Sequence, residues 1–293
     1  MTLQALRLGL IGYPLEQSLS PVMHRAALRA CQLAGDYTLL PIPPLPQGQD
    51  ELAACLGRLR RGELDGLNVT LPHKQNVLSY LDELSPAVQH IGAANTLLCR
   101  EGRLLGENTD APGFLADLWA CFPFLKNRPG HVLVLGAGGS ARAVVAALGE
   151  AGWRVTLSGS RSGREQELQR IFPQVTAAFT SLEAALQAGA MAGVDLVVNT
   201  TPLGMFPALE TTPWPEDLDF PDQAAVYDLV YKPRETRLVR QARQRGRPAA
   251  NGLGMLVEQA ALAFELWSGK TADRTQMRQA ADAAQAQPAG DPG

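Results

Sequence analysis

The sequence predicts an α/β fold in two domains, an N-terminal α/β domain with a mainly parallel sheet and a second domain of Rossmann type, with a C-terminal helix that returns to the first. Three observations lead there. Leucine-rich and β-branched runs at 132–135, 154–158, 194–199 and 225–230 alternate with helical stretches, the βαβ pattern of a parallel sheet covered on both faces. The first of these runs feeds a glycine-rich turn at 136–141, and residues 143–148 follow it with helical apolar spacing. The 293 residues fit two domains, and about 130 of them precede the turn, enough for a separate domain.

Taken in order, residues 6–11 form a predicted strand ending at Gly12-Tyr13-Pro14. A loop at 15–19 leads into a helix after Ser20-Pro21, where serine caps and proline fits the first turn. Residues 37–42 are a second strand, 41–46 a proline-rich connection, and 50–61 a helix with leucines and alanines at helical spacing. Residues 67–71 are a third strand closed by Pro72, and 94–98 with 103–106 form a hairpin around Arg100-Glu101-Gly102. After Asp110-Ala111-Pro112-Gly113, a helix carrying Phe114, Leu115, Leu118 and Trp119 bridges to the second domain. Beyond the last strand of that domain, a long apolar helix spans 256–267. The expected divisions are therefore 1–112, 113–250, a returning helix within 251–270, and an extension at 271–293. The last nine residues carry no large apolar side chain and are expected to be disordered.

A hydrophobic content of 46% with 19% charged residues is that of a chain able to bury a core. The net charge of -3 gives no electrostatic reason to expect nucleic acid or an anionic membrane, which leaves a small molecule as the expected partner. Cys31, Cys55, Cys99 and Cys121 are widely spaced, with no C-x-x-C pair and no clustered histidines, so neither a disulfide framework nor a metal site is expected. Reduced thiols, and an N-terminus without a basic region followed by a long apolar stretch, point to the cytoplasm.

Gly136, Gly138 and Ala141 occupy the three positions of a dinucleotide fingerprint, with Ala137, Gly139 and Ser140 completing the loop. Glycines let the backbone approach a pyrophosphate, whose charge the free N–H groups and dipole of the helix stabilise. NAD is recognised by an acidic residue about 20 positions further on, at the end of the second strand. Here that strand ends in Gly159-Ser160-Arg161-Ser162-Gly163-Arg164, without Asp or Glu. A guanidinium matches a 2′-phosphate in charge and geometry, and Ser160 and Ser162 add hydroxyls, so NADP is expected over NAD. The alternative is that Arg161 and Arg164 are solvated charges.

The densest polar cluster elsewhere is Asn68-Val69-Thr70-Leu71-Pro72-His73-Lys74. Alternation puts Asn68 and Thr70 on one strand face, and the turn brings Lys74 to the strand's end. Lys74 is either an ordinary surface charge or, with a carboxylate from Asn108-Thr109-Asp110, half of a pair that passes a proton to a substrate oxygen while hydride moves on the adjacent carbon. His73 points elsewhere if the backbone stays extended and is expected to stand behind Lys74. His24, His90 and His131 are expected in a helix, a turn and a strand start. Arg234, Arg237, Arg240 and Arg243, three apart, are expected to form a solvated helical stripe.

Together these segments resemble the shikimate dehydrogenase family, over about residues 8–269. Gly12 to His24 resembles its substrate-carboxylate loop, which implies Ser18 and Ser20 as hydroxyl donors. The Asn68 to Lys74 segment is similar to its catalytic segment, which implies Lys74 as acid/base and Thr70 as a substrate ligand. Gly92-Ala93-Ala94-Asn95-Thr96-Leu97 and Asn108-Thr109-Asp110 resemble segments that bring Asn95 and Asp110 to ring hydroxyls, Asp110 also pairing with Lys74. Asn199 to Met205 and Tyr227-Asp228-Leu229-Val230-Tyr231 resemble signatures lining the nicotinamide side, with Leu229 at the cofactor and Tyr231 reaching substrate. Asn251 to Gln259 resembles the closing motif, which implies Gly252 at the cofactor and Gln259 at the substrate. The family shows Asn-Arg-Thr where this chain has Ser160-Arg161-Ser162, and the extension past Thr271 lies outside the resemblance. The resemblance implies reversible NADPH-dependent reduction of 3-dehydroshikimate to shikimate, in a monomer or homodimer. The alternatives are a quinate/shikimate dehydrogenase using NAD or NADP, and a non-catalytic metabolite sensor.

Overall fold

The computed structural model describes residues 5–159 and 163–286. Two compact units emerge, one from the residues up to Asp110 together with those from Val257 onward, the other from Ala111–Leu256.

The first unit runs β1 (Leu6–Gly12), α1 (Ser20–Ala30), β2 (Gly35–Pro41), α2 (Gln49–Arg60), β3 (Gly66–Val69), β4 (Glu83–Leu84), α3 (Pro86–Ile91), β5 (Thr96–Arg100) and β6 (Arg103–Glu107). Its sheet has the order β2-β1-β3-β5-β6-β4 among the described residues. β1 lies parallel to β2 and β3, whereas β5 runs antiparallel to both β3 and β6. Alternation along β1 divides its side chains: Leu8 and Leu10 join Tyr37 on one face, while Ile11 packs with Leu52, Leu56, Leu67 and Val69 on the other. Each such fully buried side chain stabilises the unit by about 1.5–3 kcal/mol.

α4 (Asp110–Cys121) leads into the second unit, which continues β7 (His131–Leu135), α5 (Gly139–Glu150), β8 (Arg154–Ser158), α6 (Arg164–Ile171), β9 (Val175–Phe179), α7 (Leu182–Gln187), β10 (Leu196–Asn199), β11 (Ala225–Asp228), α8 (Arg237–Gln244) and β12 (Ala249–Asn251). Its strands lie in the order β12-β11-β10-β7-β8-β9, all parallel, which is the doubly wound Rossmann arrangement with β7 at the switch point. The expected α/β class is therefore present in both units.

α9 (Leu253–Ser268) and α10 (Arg274–Ala286) close the described chain. The end of α9 docks on the first unit's sheet: Trp267 donates its indole N–H to the Leu97 carbonyl at 3.0 Å, and its ring fills the space left by Gly66, where a Cβ would stand 2.4 Å away. α10 corrects one expectation, that of a disordered end from Gln285 onward. The extension at 271–293 contains a helix that includes Gln285, and it packs on α1 with Met277 and Ala281 buried. Arg274 holds it to α9 through Glu258 and Glu265 at 2.7 and 2.8 Å. The rest of the expected tail, 287–293, lies outside the described residues.

Three local differences have simple causes. Ser20 is the first residue of α1 rather than its cap, and Ser18 Oγ accepts the Ser20 N–H at 3.3 Å instead. His90 lies in α3, started by Ser85 as cap and Pro86 in the first turn. Of the expected arginine stripe, Arg234 precedes α8, while Arg237, Arg240 and Arg243 lie on it and form surface ion pairs with Glu216, Glu210 and Glu235.

Candidate active site

In the first unit, β3 delivers Asn68 and Val69, and the chain then turns so that the His73 N–H meets the Thr70 carbonyl at 2.9 Å. His73 is fully buried and holds this turn from behind. Its Nε2 donates to the Ile42 carbonyl at 2.8 Å, and its Nδ1 accepts from Asn76 at 3.3 Å. Ala94 ties in from the other side, donating its N–H to the Lys74 carbonyl at 2.9 Å.

Lys74 Nζ lies 2.6 Å from Asp110 Oδ2, with the two side chains only 12% and 8% exposed. Asp110 is the first residue of α4, where the helix dipole favours its negative charge, and Asn108 Oδ1 accepts the Asp110 N–H. The other carboxylate oxygen accepts from Asn95 Nδ2 at 2.9 Å, and Gln259 Oε1 stands 3.4 Å from the same amide nitrogen. Four of the expected residues thus meet: Lys74, Asp110, Asn95 and Gln259. Thr70 follows the end of β3, its methyl occupying the space over Gly12, where a Cβ would come within 2.3 Å. Ser18 and buried Ser20 lie together at the start of α1.

The glycine turn separates into two kinds of position. Gly136 adopts φ +106°, and a Cβ there would stand 2.6 Å from Thr200 Oγ1, so the fold itself requires glycine. Gly138 has an ordinary backbone, φ −86°, and neither it nor Gly139 would bring a Cβ within 4 Å of any neighbour. Packing gives no reason for glycine at these two positions. A pyrophosphate drawn close to the N-terminus of α5 supplies one, and so the residues present fit a dinucleotide. Ala137 precedes them, Ser140 is the second residue of α5, and Ala141 is fully buried against the sheet.

Leu229 and Gly252 form a second close approach, a Cβ on Gly252 falling 2.2 Å from the Leu229 carbonyl oxygen. Tyr231 follows two residues after Leu229, with burial raising its phenol pKa. Ser160, Arg161 and Ser162 lie outside the described residues.

Asp228 at the end of β11 is fully buried and accepts from Asn199 Nδ2, Thr236 Oγ1 and the Val230 N–H. Burial outweighs these bonds and pushes its pKa up to about 6. Because the folded form binds this proton more tightly than the unfolded chain, the contribution of Asp228 to stability is full below about pH 4 and is lost as pH rises to about 6, against the opposite contribution of His24, whose lowered pKa favours the folded form as pH rises over the same range. The loss at Asp228 is about 3 kcal/mol. Asp228→Asn is expected to remove this contribution, so that in denaturant titrations its stability relative to the unaltered chain rises by about 3 kcal/mol between pH 4 and 6; a difference that does not change with pH would contradict the assignment.

Sequence reading missed Tyr37 and Thr96. Tyr37 is fully buried, donates to Asn68 Oδ1 at 2.8 Å and stacks on His24, whose own pKa burial lowers to about 3. Thr96 touches Asn68, Asn95 and Thr109. The adjacent Asn95-Thr96 pair was the available signal.

A doubly wound unit with a phosphate-accommodating glycine turn, carried by a chain whose other unit buries a lysine–carboxylate pair under an amide, defines a dinucleotide-dependent oxidoreductase. Known proteins resolve the class further. The family model for the shikimate dehydrogenase substrate binding domain matches residues 10–97, and that for the shikimate 5′-dehydrogenase C-terminal domain matches 252–281. The second match extends beyond Thr271, so the start of the extension belongs to the family pattern. A shikimate dehydrogenase (NADP(+)) of Thermus thermophilus is 43% identical over 94% of this chain and 97% of its own. The crystal structure of shikimate 5-dehydrogenase from Thermus thermophilus in complex with NADP(H) and shikimate superposes with a TM-score of 0.82 at 41% identity, over 95% and 99% of the two chains. Quinate dehydrogenase from Corynebacterium glutamicum in complex with NAD gives a TM-score of 0.82 at 33% identity, over 94% and 98%. This chain belongs to the shikimate dehydrogenase family.

Proposed function

We propose that this chain reduces 3-dehydroshikimate to shikimate, reversibly and with NADPH, in the biosynthesis of aromatic amino acids. When bound, the nicotinamide supplies the hydride that the carbonyl carbon accepts. Lys74 gives a proton to the alkoxide oxygen as the C–H bond forms, and takes it back in the reverse direction. Asp110 holds the ammonium in place, and Asn95 and Gln259 grip ring hydroxyls. Ser18, Ser20 and Thr70 receive the substrate's polar groups, and Tyr231 is a further substrate ligand. A monocarboxylate with several hydroxyls suits such donors better than a clamp of arginines.

In the second unit, the loop from Gly136 to Ala141 takes the pyrophosphate, Leu229 and Gly252 border the nicotinamide, and Ser160, Arg161 and Ser162 meet the 2′-phosphate. The observation that carries the reading is the 2.6 Å Lys74–Asp110 pair joined to Asn95. We extend it to a cytoplasmic enzyme, monomeric or homodimeric, with small-molecule partners; its free cysteines fit a reducing compartment. No described helix is long and apolar enough to cross a membrane.

Following reduced nicotinamide by absorbance while purified protein oxidises shikimate or quinate with NADP+ or NAD+ tests the substrate and the cofactor together. Shikimate with NADP+ is expected to give the highest kcat/KM. A preference for quinate or NAD+ would favour the quinate-dehydrogenase alternative, and no turnover in any pairing would favour the sensor.

A further inference from the structure

We infer that Thr96 is a positioning residue for this reaction, its hydroxyl holding the Asn95 carboxamide with the amide nitrogen toward Asp110 and the substrate; the inference rests on the roles proposed above for Asn95 and Asp110.

The antiparallel register of β3 and β5 sets Asn68 directly opposite Thr96, and both side chains are buried. Two backbone groups then dictate which atom gives and which receives. The Thr109 N–H donates to Asn95 Oδ1 at 2.7 Å, which turns Asn95 Nδ2 to Asp110 Oδ1 and Thr109 Oγ1, both at 2.9 Å. The Asn95 carbonyl accepts from Asn68 Nδ2 at 3.2 Å, so Asn68 presents its amide nitrogen to Thr96 Oγ1 as well, also at 3.2 Å.

A threonine hydroxyl has one proton and two lone pairs. With Asn68 donating to Thr96 Oγ1, and Thr109 Oγ1 beside it at 3.3 Å, the Thr96 proton goes to Asn95 Oδ1 at 3.1 Å. Asn68 Oδ1 is left to accept, and Tyr37 supplies the proton at 2.8 Å. Burial raises the Tyr37 phenol, so it stays a donor. The result is a one-way relay from Tyr37 through Asn68, Thr96 and Asn95 to Asp110. Thr96 is the hydroxyl between the two asparagines, and without it each of them loses a partner.

Thr96→Val removes the hydroxyl while keeping the shape. Since Asn95 would be loosened in ground and transition states alike, KM for shikimate is expected to rise about 5–20-fold, with kcat within about threefold and KM for NADP+ unchanged. Thr96→Ser restores KM to near the starting value. Tyr37→Phe, at the far end of the relay, raises KM by about 2–5-fold and decides the matter if the valine variant does not fold. A Thr96→Val enzyme with unaltered KM, or a serine variant as impaired as the valine one, overturns the inference. Asn95→Ala separates the two levels: an unaltered KM there refutes the substrate role of Asn95 itself. A raised KM in Asn95→Ala beside unaltered values in Thr96→Val and Tyr37→Phe refutes only the relay.

Discussion

Replacing Lys74 by alanine is expected to lower kcat for 3-dehydroshikimate reduction by about 10²–10⁴-fold, the usual contribution of a positioned acid/base group. The ammonium is the donor proposed for the alkoxide, and Asp110 at 2.6 Å offers no second proton while ionised. The alanine variant also leaves a carboxylate that is 8% exposed without its cation, which costs about 3–5 kcal/mol of stability. Lys74→Gln separates these effects. A glutamine amide still donates to Asp110, so the melting temperature stays closer to that of the unaltered protein, yet it cannot exchange a proton at neutral pH. Both variants are expected to lose turnover alike and to retain NADP+ binding. Asp110→Asn should also lower kcat, and adding it to Lys74→Ala should cost far less than the product of the two single losses, because the groups act as a unit. A glutamine variant turning over within tenfold of the unaltered enzyme would remove Lys74 from the proton-transfer step.

Much of this site is legible in one dimension because its parts are local. Asn68, Thr70 and Lys74 lie within seven residues, and Asn108 with Asp110 within three. What the linear pattern withholds is pairing between strands. The bond from Asn68 to Thr96 exists because β5 runs antiparallel to β3 in a sheet whose first strands are parallel, and alternation within either strand says nothing about that direction. Tyr37 reaches Asn68 from β2 across β1, again a matter of sheet order. β9 and β12 escaped notice because Val175–Phe179 and Ala249–Asn251 are alanine-rich edge strands without strong alternation. α10 is polar in composition, but Met277 and Ala281, four apart, form the seam that α1 covers. Composition averages over such a seam, and that is why the helix read as a tail.

Gly138→Val and Gly252→Ala are expected to fail in opposite ways. At Gly138 the backbone is one that any residue can adopt, and the added Cβ meets nothing within 4 Å. The melting temperature of the ligand-free Gly138→Val protein should therefore stay within about 2 °C, since surface changes that touch nothing lie within about 0.5 kcal/mol. The new side chain occupies the approach proposed for the pyrophosphate, so NADP+ should bind about 10²-fold more weakly, equivalent to about 2.8 kcal/mol. At Gly252 the added methyl falls 2.2 Å from the Leu229 carbonyl oxygen, a backbone atom that cannot swing aside as a side chain would. Gly252→Ala should accordingly lose about 1–3 kcal/mol of stability through overpacking before any cofactor is added. Calorimetry of both proteins with and without NADP+ distinguishes the two outcomes. If Gly138→Val bound NADP+ as tightly as the unaltered chain, the openness of that loop would have some cause other than the dinucleotide, and the cofactor site would have to be sought elsewhere in the second unit.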